Sequence, residues 1–336
     1  MKLKAIIALG AAAALSLTAC GGTEAPGTDA PGTDAPGTEA PSAGAEKSYQ
    51  IGIAQIVSHP ALDAVAAGFK EAFAEAGLEV TFDEQNAQGD QSTLTNIAST
   101  FASSDNDGFL AIATPTAQSF ANAITDRPIV FAAVTDPVAA ELVTSWEAPD
   151  ANMTGVSDLN PMREQLELIL EARPEAKSVG IVYSSGEVNS EVQVAEAEKA
   201  AAELGLTIEK ATVTNSSEVQ QAAETLNVDA LLIPTDNTVV SAAESVIQIG
   251  EQKQIPVFAS DESTIERGAT AGLSVNYTQQ GKDAAAIMIK LLEGAAASEF
   301  PVETQKEFDL FVNPTAAKAQ GLELPESIVS RATKQF

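Results

Sequence analysis

From Tyr49 onward, short runs of apolar residues alternate with longer segments in which apolar residues recur every three to four positions. The short runs are typical of buried strands, and the longer segments have the periodicity of amphipathic helices. The predicted strands are YQIGIAQIV (49–57), LEVTF (78–82), GFLAIAT (108–114), PIVFAAV (128–134), VGIVYSS (179–185), LTIEKATV (206–213), DALLIPT (229–235) and IPVFAS (255–260). Such alternation predicts an α/β fold whose parallel sheets carry helices on both faces.

The pattern occurs twice in succession, restarting after a helix predicted at 161–172. EAGLEV in the first half corresponds to ELGLTI in the second, and DGFLAIATPT corresponds to VDALLIPTDN. A chain of 336 residues normally divides into two domains rather than enlarging one core. We therefore expect two doubly wound domains with a cleft between them.

The last third of the chain predicts the connections between these two domains. A helix at about 280–293 follows the strand GLSVNY, and the apolar run FDLFV comes after that helix. This order predicts a hinge that the chain crosses three times. The expected boundaries are 48–157 and 279–298 for lobe 1, and 158–278 and 299–336 for lobe 2.

The segment before Tyr49 has the features of an export signal followed by a linker. Lys2 and Lys4 precede an apolar stretch that ends at Ala19, which is shorter than the roughly 20 residues needed to span a bilayer. Residues 1–19 are therefore predicted to be a signal peptide. Residues 20–47 contain three copies of APGT[DE], and no side chain from 21 to 46 is larger than glutamate, so they are predicted to form a disordered linker.

The single cysteine, Cys20, follows this signal directly. The sequence LTAC resembles the lipobox of bacterial lipoproteins, in which cleavage precedes a cysteine that carries a diacylglycerol. We expect Cys20 to be lipidated and to anchor an extracytoplasmic protein to the cell membrane. The alternative is an ordinary cleavable signal with an incidental cysteine. With no second cysteine, an intramolecular disulfide is impossible.

The formal net charge of −29 limits the classes of partner. So large a negative charge argues against nucleic acid and anionic lipid surfaces as partners, and it also accounts for solubility. It does not exclude an anionic group in one local site, because the amide groups at helix starts can bind such a group.

Polar residues follow the predicted strands of lobe 1, at the edge where open parallel sheets bind ligands. Each of these strand ends places a hydroxyl or carboxylate at a helix start, with proline nearby. The lobe 1 candidates are Ser58, His59, Thr114, Thr116, Gln118, Thr135 and Asp136. Together they suit a carboxylate group. The alternative is that each only caps its helix.

The equivalent strand ends of lobe 2 are richer in acids. The lobe 2 candidates are Tyr183, Glu187, Asn189, Ser190, Asp236, Asn237 and Asp261. Asp236 or Asp261 could bind an ammonium group, and the two lobes would then suit a zwitterionic amino acid. Alternatively, both aspartates only cap helices. Tyr183 is the candidate for contact with a ligand ring, although it could equally be a core tyrosine.

The sequence contains none of the motifs that an enzyme of this architecture would need. The single histidine, His59, has no metal-ligand spacing, and neither a nucleophile elbow nor a glycine-rich phosphate-binding loop is present. We expect no catalytic residue, no cofactor and no metal. His59 is predicted to lie near the ligand or at a helix start.

Several segments resemble one family, in the same order along the chain. They are HPALDAVAAGFKEAF, QNAQGDQSTL, ATPTAQ, VFAAVTDPVAAELV, TGVSDLNP, YSSGEVNS, PTDNTVVSA and IPVFASDES, spanning Tyr49 to Pro325. They look like the substrate-binding lipoproteins of ABC transporters for aromatic amino acids, the tryptophan and tyrosine uptake type. One departure is SSGEVNS, where a pattern nearer SSEANS is expected, so that Gly186 and Val188 are changed.

The resemblance implies a type I periplasmic-binding-protein-like clamshell that closes on its ligand. It implies capture of an amino acid, expected to be tryptophan, tyrosine or phenylalanine, and delivery to an ABC permease with a cytoplasmic ATPase. A lipid-anchored sensor or co-receptor, or a binding protein for another small solute, would use the same clamshell. The sequence leaves these alternatives open.

Overall fold

The computed structural model describes residues 48–149 and 152–336. The predicted signal, the linker and Cys20 lie outside the described residues. Within the described part of the chain, no helix is long and apolar enough to cross a membrane.

Lobe 1 is built on the first of two sheets. Its elements up to the first crossing are β1 (Ser48–Gln55), α1 (Pro60–Glu75), β2 (Glu79–Asn86), α2 (Gln91–Ala102), β3 (Gly108–Ile112), α3 (Thr114–Ala123), β4 (Ile129–Ala132) and β5 (Met153–Ser157). These five strands are parallel and lie in the order β5-β4-β3-β1-β2. This agrees with the alternating pattern of the sequence.

Lobe 2 is built on the second sheet. Its elements up to the next crossing are α4 (Met162–Ala172), β6 (Ser178–Ser184), α5 (Val188–Leu204), β7 (Thr207–Val213), α6 (Val219–Thr225), β8 (Ala230–Ile233), α7 (Asn237–Val240), α8 (Ala243–Lys253), β9 (Val257–Ala259), α9 (Glu262–Glu266) and β10 (Ala271–Ser274). The helix predicted from Thr238 onward is divided into α7 and α8. Apolar cores lie on both faces of this sheet.

The chain then returns to lobe 1 and crosses once more to lobe 2. The remaining elements are α10 (Tyr277–Leu292), β11 (Glu303–Thr304), β12 (Asp309–Val312), α11 (Pro314–Ala319), α12 (Glu326–Val329) and β13 (Lys334–Gln335). β11 pairs with β5 at the edge of the first sheet, whereas β12 pairs antiparallel with β10 in the second. The three crossings are those expected from the sequence.

The return to lobe 1 is longer than the predicted segment 279–298. It begins with α10 at Tyr277 and extends through β11 to Thr304. Hydrogen bonds hold its later part on lobe 1, because Thr154 donates to the Phe300 carbonyl at 2.8 Å. A two-residue strand paired at a sheet edge carries almost no periodicity, so the pattern could not reveal it.

Two glycines allow α10 to pack directly against α1 in lobe 1. A Cβ on Gly68 would lie 2.1 Å from the carbonyl oxygen of Thr278, and a Cβ on Gly281 would lie 2.1 Å from that of Val65. Both obstacles are backbone atoms, which cannot move aside as a flexible side chain can. The two helix backbones therefore touch, and this contact fixes the returning segment onto lobe 1.

Gly281→Ala is expected to lower the free energy of unfolding by about 1–3 kcal/mol or more, because the methyl group would force α10 away from α1. Urea denaturation measures this loss. The matched control is Gly186→Ala, whose added Cβ would have its nearest neighbour at 3.8 Å. Equal stability of the two variants would contradict the proposed role of this helix contact.

Candidate functional site

The carboxyl ends of β3 and β4 have unusual backbone conformations. Ala113 and Ala133 follow these strands with φ values of 75° and 54°, in the left-handed region that alanine rarely occupies. Gln280 of α10 supports this edge, since its side chain accepts from the Ala133 amide at 3.2 Å and donates to the Ser157 carbonyl at 3.0 Å. Strain of this kind is typical of functional sites.

The strained Ala113 leads directly into α3, whose first turn carries Thr114 and Thr116. These two side chains are 1% and 0% exposed, and neither hydroxyl has a hydrogen-bond partner among the described residues. The amide groups of a first helical turn also lack partners within the helix. The start of α3 therefore presents buried hydrogen-bond donors, as the sequence predicted for a carboxylate site.

His59 precedes α1 and belongs to the same buried region. The side chain is 8% exposed, and neither ring nitrogen reaches a partner within the described chain. Asp261 and Asn237 of lobe 2 lie near the ring. Burial lowers the pKa of His59 despite the nearby Asp261, so the imidazole is neutral at neutral pH. It therefore contributes one N–H donor and one acceptor nitrogen.

Two lobe 1 candidates have local partners instead. Ser58 is exposed, and its hydroxyl donates to the Asp63 carboxylate at 2.9 Å within α1. The Gln118 amide donates to the Ala140 carbonyl at 3.2 Å, on the side of α3 that faces the 137–142 loop. Neither residue is among the buried polar groups that lack a partner, so their predicted contact with the ligand gains no support.

The remaining lobe 1 candidates follow β4. Thr135 is buried and donates to Asp158 at 3.0 Å, while Asp136 is half-buried. The Asp136 carboxylate accepts from the amides of Val138 and Ala139, both at 3.0 Å, and so caps the turn that follows. For Asp136 the alternative interpretation, a structural cap, fits the structure.

In lobe 2, Glu187 binds the start of α7. Its carboxylate accepts from the amide and side chain of Asn237, at 3.1 and 2.6 Å, and from the amide and hydroxyl of Thr238, at 3.0 and 2.8 Å. Glu187 and Asn237 are 7% exposed. The pair joins two strand ends of lobe 2 and orients the helix beside His59.

Both carboxylate oxygens of Asp236 accept hydrogen bonds from other residues of lobe 2. Oδ1 accepts from the Val239 amide at 2.8 Å, and Oδ2 accepts from the Ser184 amide at 2.6 Å and the Ser190 hydroxyl at 2.7 Å. Complete burial, followed by the charge of Glu187, raises the pKa of Asp236 to about 7. The structure therefore assigns Asp236, and Ser190 with it, to holding lobe 2 together.

Asp261 and Asn189 differ from Asp236 because each keeps one free acceptor. Asp261 caps α9 through Oδ1, which accepts from Thr264 at 2.9 Å and Ser263 at 2.5 Å, while Oδ2 has no partner. Asn189 donates to the Thr235 carbonyl at 3.0 Å, while its Oδ1 has no partner. Both residues are at most 3% exposed.

Buried groups without partners follow strand ends of both lobes. Those described above are His59, Thr114 and Thr116 in lobe 1, and Asn189 and Asp261 in lobe 2; the other such atoms of the described chain belong to Gln55, Asn106, Arg173 and Arg267. The two threonine hydroxyls can donate, whereas the free oxygens of Asn189 and Asp261 can only accept. Buried polar groups without partners are uncommon in native proteins and costly to leave unpaired. These free donors and acceptors lie beyond the carboxyl ends of strands in the two lobes.

The lobes touch across this region. Val188, the first residue of α5 in lobe 2, packs against the apolar core of lobe 1. Helices α3 and α5 are in contact, as are α1 and α9. Val188 lies between Glu187 and Asn189, so the apolar contact is adjacent to the polar site. The structure shows a closed arrangement.

Tyr183 does not contact this site, contrary to the prediction of a ring contact. Its ring belongs to the lobe 2 core beneath α5, and its hydroxyl lies near Glu191, Glu198 and Lys210. Burial and these acids raise the pKa of Tyr183. Successive residues of a strand point to opposite faces, and Tyr183 lies on the face covered by α5.

The sequence reasoning missed Asp158 and Tyr277. Asp158 follows β5 and is 3% exposed, and its carboxylate accepts from Thr135 at 3.0 Å and from the Tyr277 hydroxyl at 3.1 Å. Burial raises the pKa of Asp158 to about 6. Asp158 directly follows β5, a strand that the sequence analysis did not predict, so its position at a strand end could not be recognised.

The sequence model of the family described as ABC transporter substrate binding protein matches residues 50–336. A tyrosine-binding protein from Clostridioides difficile (strain R20291) is 38% identical over 281 residues, which is 82% of this chain and 81% of that protein.

Two solved structures are informative about the arrangement of the lobes. An ABC domain from Streptococcus pneumonia in complex with L-Trp is 34% identical, with a TM-score of 0.84, covering 86% of this chain and 100% of that one. A ligand-free, open substrate-binding protein from Clostridium difficile is 39% identical, with a TM-score of 0.66, covering 86% and 99%. Despite the lower identity, the chain is more similar to the ligand complex.

The fold is that of type I periplasmic binding proteins, two doubly wound lobes joined by a hinge of three crossings. The family match covers nearly all of the described residues, and a relative of 38% identity spans more than two thirds of the chain. The chain therefore belongs to the substrate-binding proteins of ABC transporters.

Proposed function

We propose that this protein captures an aromatic L-amino acid between its lobes and delivers it to an ABC permease with a cytoplasmic ATPase, without catalysing a reaction. The observation that carries the proposal is the sorting of unpartnered buried groups. The free hydroxyls of Thr114 and Thr116 lie on lobe 1, and the free oxygens of Asn189 and Asp261 lie on lobe 2. A ligand with an anionic group and a cationic group satisfies both sets, and an α-amino acid carries them one carbon apart.

The ligand carboxylate binds at the start of α3. Thr114 and Thr116 donate their hydroxyl protons there, and the amide groups and dipole of the helix start favour an anion. Neither threonine has a competing partner within the described chain. Ala113, with its strained backbone, immediately precedes this helix start.

The ligand ammonium binds Oδ2 of Asp261, with Oδ1 of Asn189 as a further acceptor. Both atoms are buried and available. An ammonium next to a buried carboxylate gains more than it would in water, because there is little solvent to screen the attraction. Asp236, the other sequence candidate, differs because each of its carboxylate oxygens already has a donor within lobe 2.

The relatives support the proposal that the ligand has an aromatic side chain. One is named a tyrosine-binding protein, and another was solved in complex with L-Trp.

Titration of the protein with L-tyrosine, L-tryptophan, L-phenylalanine and the other amino acids tests the proposal. A roughly 100-fold excess over Kd should stabilise the fold by about 2.7 kcal/mol, visible as a rise in Tm. Stabilisation by a sugar and by none of the amino acids would contradict it.

Asp261→Asn is expected to weaken L-tyrosine binding by about 2–5 kcal/mol, because the free oxygen facing the ammonium becomes an amide that donates. The retained Oδ1 still caps α9, so stability should change little. Calorimetry measures the difference. Glu209→Gln, on the exposed edge strand β7, is the control and should bind normally. Unchanged affinity of Asp261→Asn would exclude the ammonium assignment.

Val188→Ala is expected to speed ligand release about fivefold, because the closed state loses roughly 1 kcal/mol of apolar burial against lobe 1. The stability of the unliganded protein should not change. Val329→Ala is the matched control, since Val329 is half-buried against the core of lobe 2 alone. Stopped-flow dissociation and thermal unfolding separate the two effects. A lower Tm with an unchanged release rate would show that Val188 has no part in closure.

We also propose that Cys20 carries the lipid that anchors the protein outside the cell membrane, on the strength of the LTAC sequence and the linker behind it. Cys20→Ser should move the protein from the membrane fraction to the soluble fraction. Mass spectrometry of the native N-terminus provides the second measurement. An unmodified cysteine there would contradict the anchor.

A further inference from the structure

Two buried carboxylates, Asp158 and Asp261, lie in the region between the lobes without a cationic partner. They are 3% and 2% exposed. The Lys and Arg ion pairs of the described chain all involve other acids. A buried carboxylate is normally paired with a cation or bound by several donors, because it has lost its hydration.

Asp158 is placed by elements of both the hinge and lobe 1. It follows β5 at the beginning of the first crossing, and Tyr277 follows the second crossing as the first residue of α10. The donors to Asp158 are the Thr135 hydroxyl at 3.0 Å and the Tyr277 hydroxyl at 3.1 Å. Both are neutral, so the charge of the carboxylate is oriented but not balanced.

On the lobe 2 side, Ser263 donates to Asp261 at 2.5 Å and lines one cavity with Tyr277. Burial, followed by the negative charges of Asp158 and Asp261, holds the pKa of Tyr277 well above its usual value. His59 lies near Asp261 on the lobe 1 side. The two carboxylates, the phenol and the imidazole therefore enclose one region at the junction of the hinge and both lobes.

The hydrogen-bond acceptors of this region match the donors of an ammonium group. An ammonium group has three N–H donors, and the free acceptors of lobe 2 are one oxygen each of Asp261 and Asn189. Each carboxylate oxygen of Asp158 can accept about two hydrogen bonds and receives one. Asp158 thus has acceptor capacity for the third N–H.

We propose that Asp158 is a second carboxylate that binds the ligand ammonium, so that the amino group connects the hinge to Asp261 of lobe 2. This inference rests on the proposed function. The contact between Asp158 and the ammonium comes from the hinge side, so recognition of the ligand amino group is linked to closure of the two lobes. A purely structural Asp158 would join Thr135 and Tyr277 without contacting the ligand.

The first test compares two probes on wild type and Asp158→Asn. L-tyrosine carries the ammonium, whereas 3-(4-hydroxyphenyl)propionate lacks it and keeps the ring and carboxylate. Asp158→Asn should weaken L-tyrosine at least tenfold and change the affinity for the propionate by less than threefold. Glu209→Gln should leave both affinities unchanged.

The second test uses pH and does not require the Asp158→Asn variant to fold well. The titratable groups around Asp158 are Tyr277, Asp261 and, beyond Asp261, His59. The ionised carboxylate binds the ammonium, so wild-type affinity for L-tyrosine should fall as pH drops through about 6, the raised pKa of Asp158. Tyr277→Phe removes a hydrogen-bond donor that favours the ionised form of Asp158. The affinity for L-tyrosine should then begin to fall at a higher pH than in wild type.

The outcomes separate this inference from the proposed function. Two results would overturn the role of Asp158 while leaving amino acid binding intact. One is an equal loss of affinity for both probes in Asp158→Asn, and the other is an unshifted pH profile of L-tyrosine affinity in Tyr277→Phe. Failure of wild type to bind L-tyrosine or any other amino acid would overturn the proposed function and this inference with it.

Discussion

The structure depends on the cost of burying polar groups without partners. Closing two lobes over their strand ends removes water from hydroxyls, an imidazole and carboxylates, and each of these needs a hydrogen-bond partner. Glu187 and Asp236 find theirs within lobe 2. Thr114, Thr116 and Asp261 do not. This distinction, rather than residue type, separates the groups that support the site from those proposed to face a ligand.

The rest of the fold holds these groups in place. The glycine contact between α1 and α10 fixes the returning segment on lobe 1, and Gln280 on α10 then supports the strained end of β4. The strained end of β3 begins α3, whose first turn carries the threonine hydroxyls. The packing of α10 against α1 therefore places the Gln280 side chain at the carboxyl end of β4, the strand that pairs with β3.

Closure combines one apolar and several polar contributions. Val188 gains apolar burial against lobe 1, and a ligand with two opposite charges would connect the donors of lobe 1 to the acceptors of lobe 2. The apolar contact is small and does not depend on the ligand, whereas the polar contacts need it. A clamshell of this kind can open when empty and stay closed when occupied.

The sequence by itself determined the alternating strands and helices, the two similar halves, the three crossings and the polar strand ends, because these follow from local periodicity and capping. It could not separate Asp236 from Asp261, which cap their helices in the same way. The tertiary structure decided between them, since Ser184 and Ser190, 52 and 46 residues away, occupy the second oxygen of Asp236. Likewise, Asp158 meets Tyr277 across 119 residues of chain. Such contacts arise when distant strand ends meet at one edge of a sheet, and no local pattern records them.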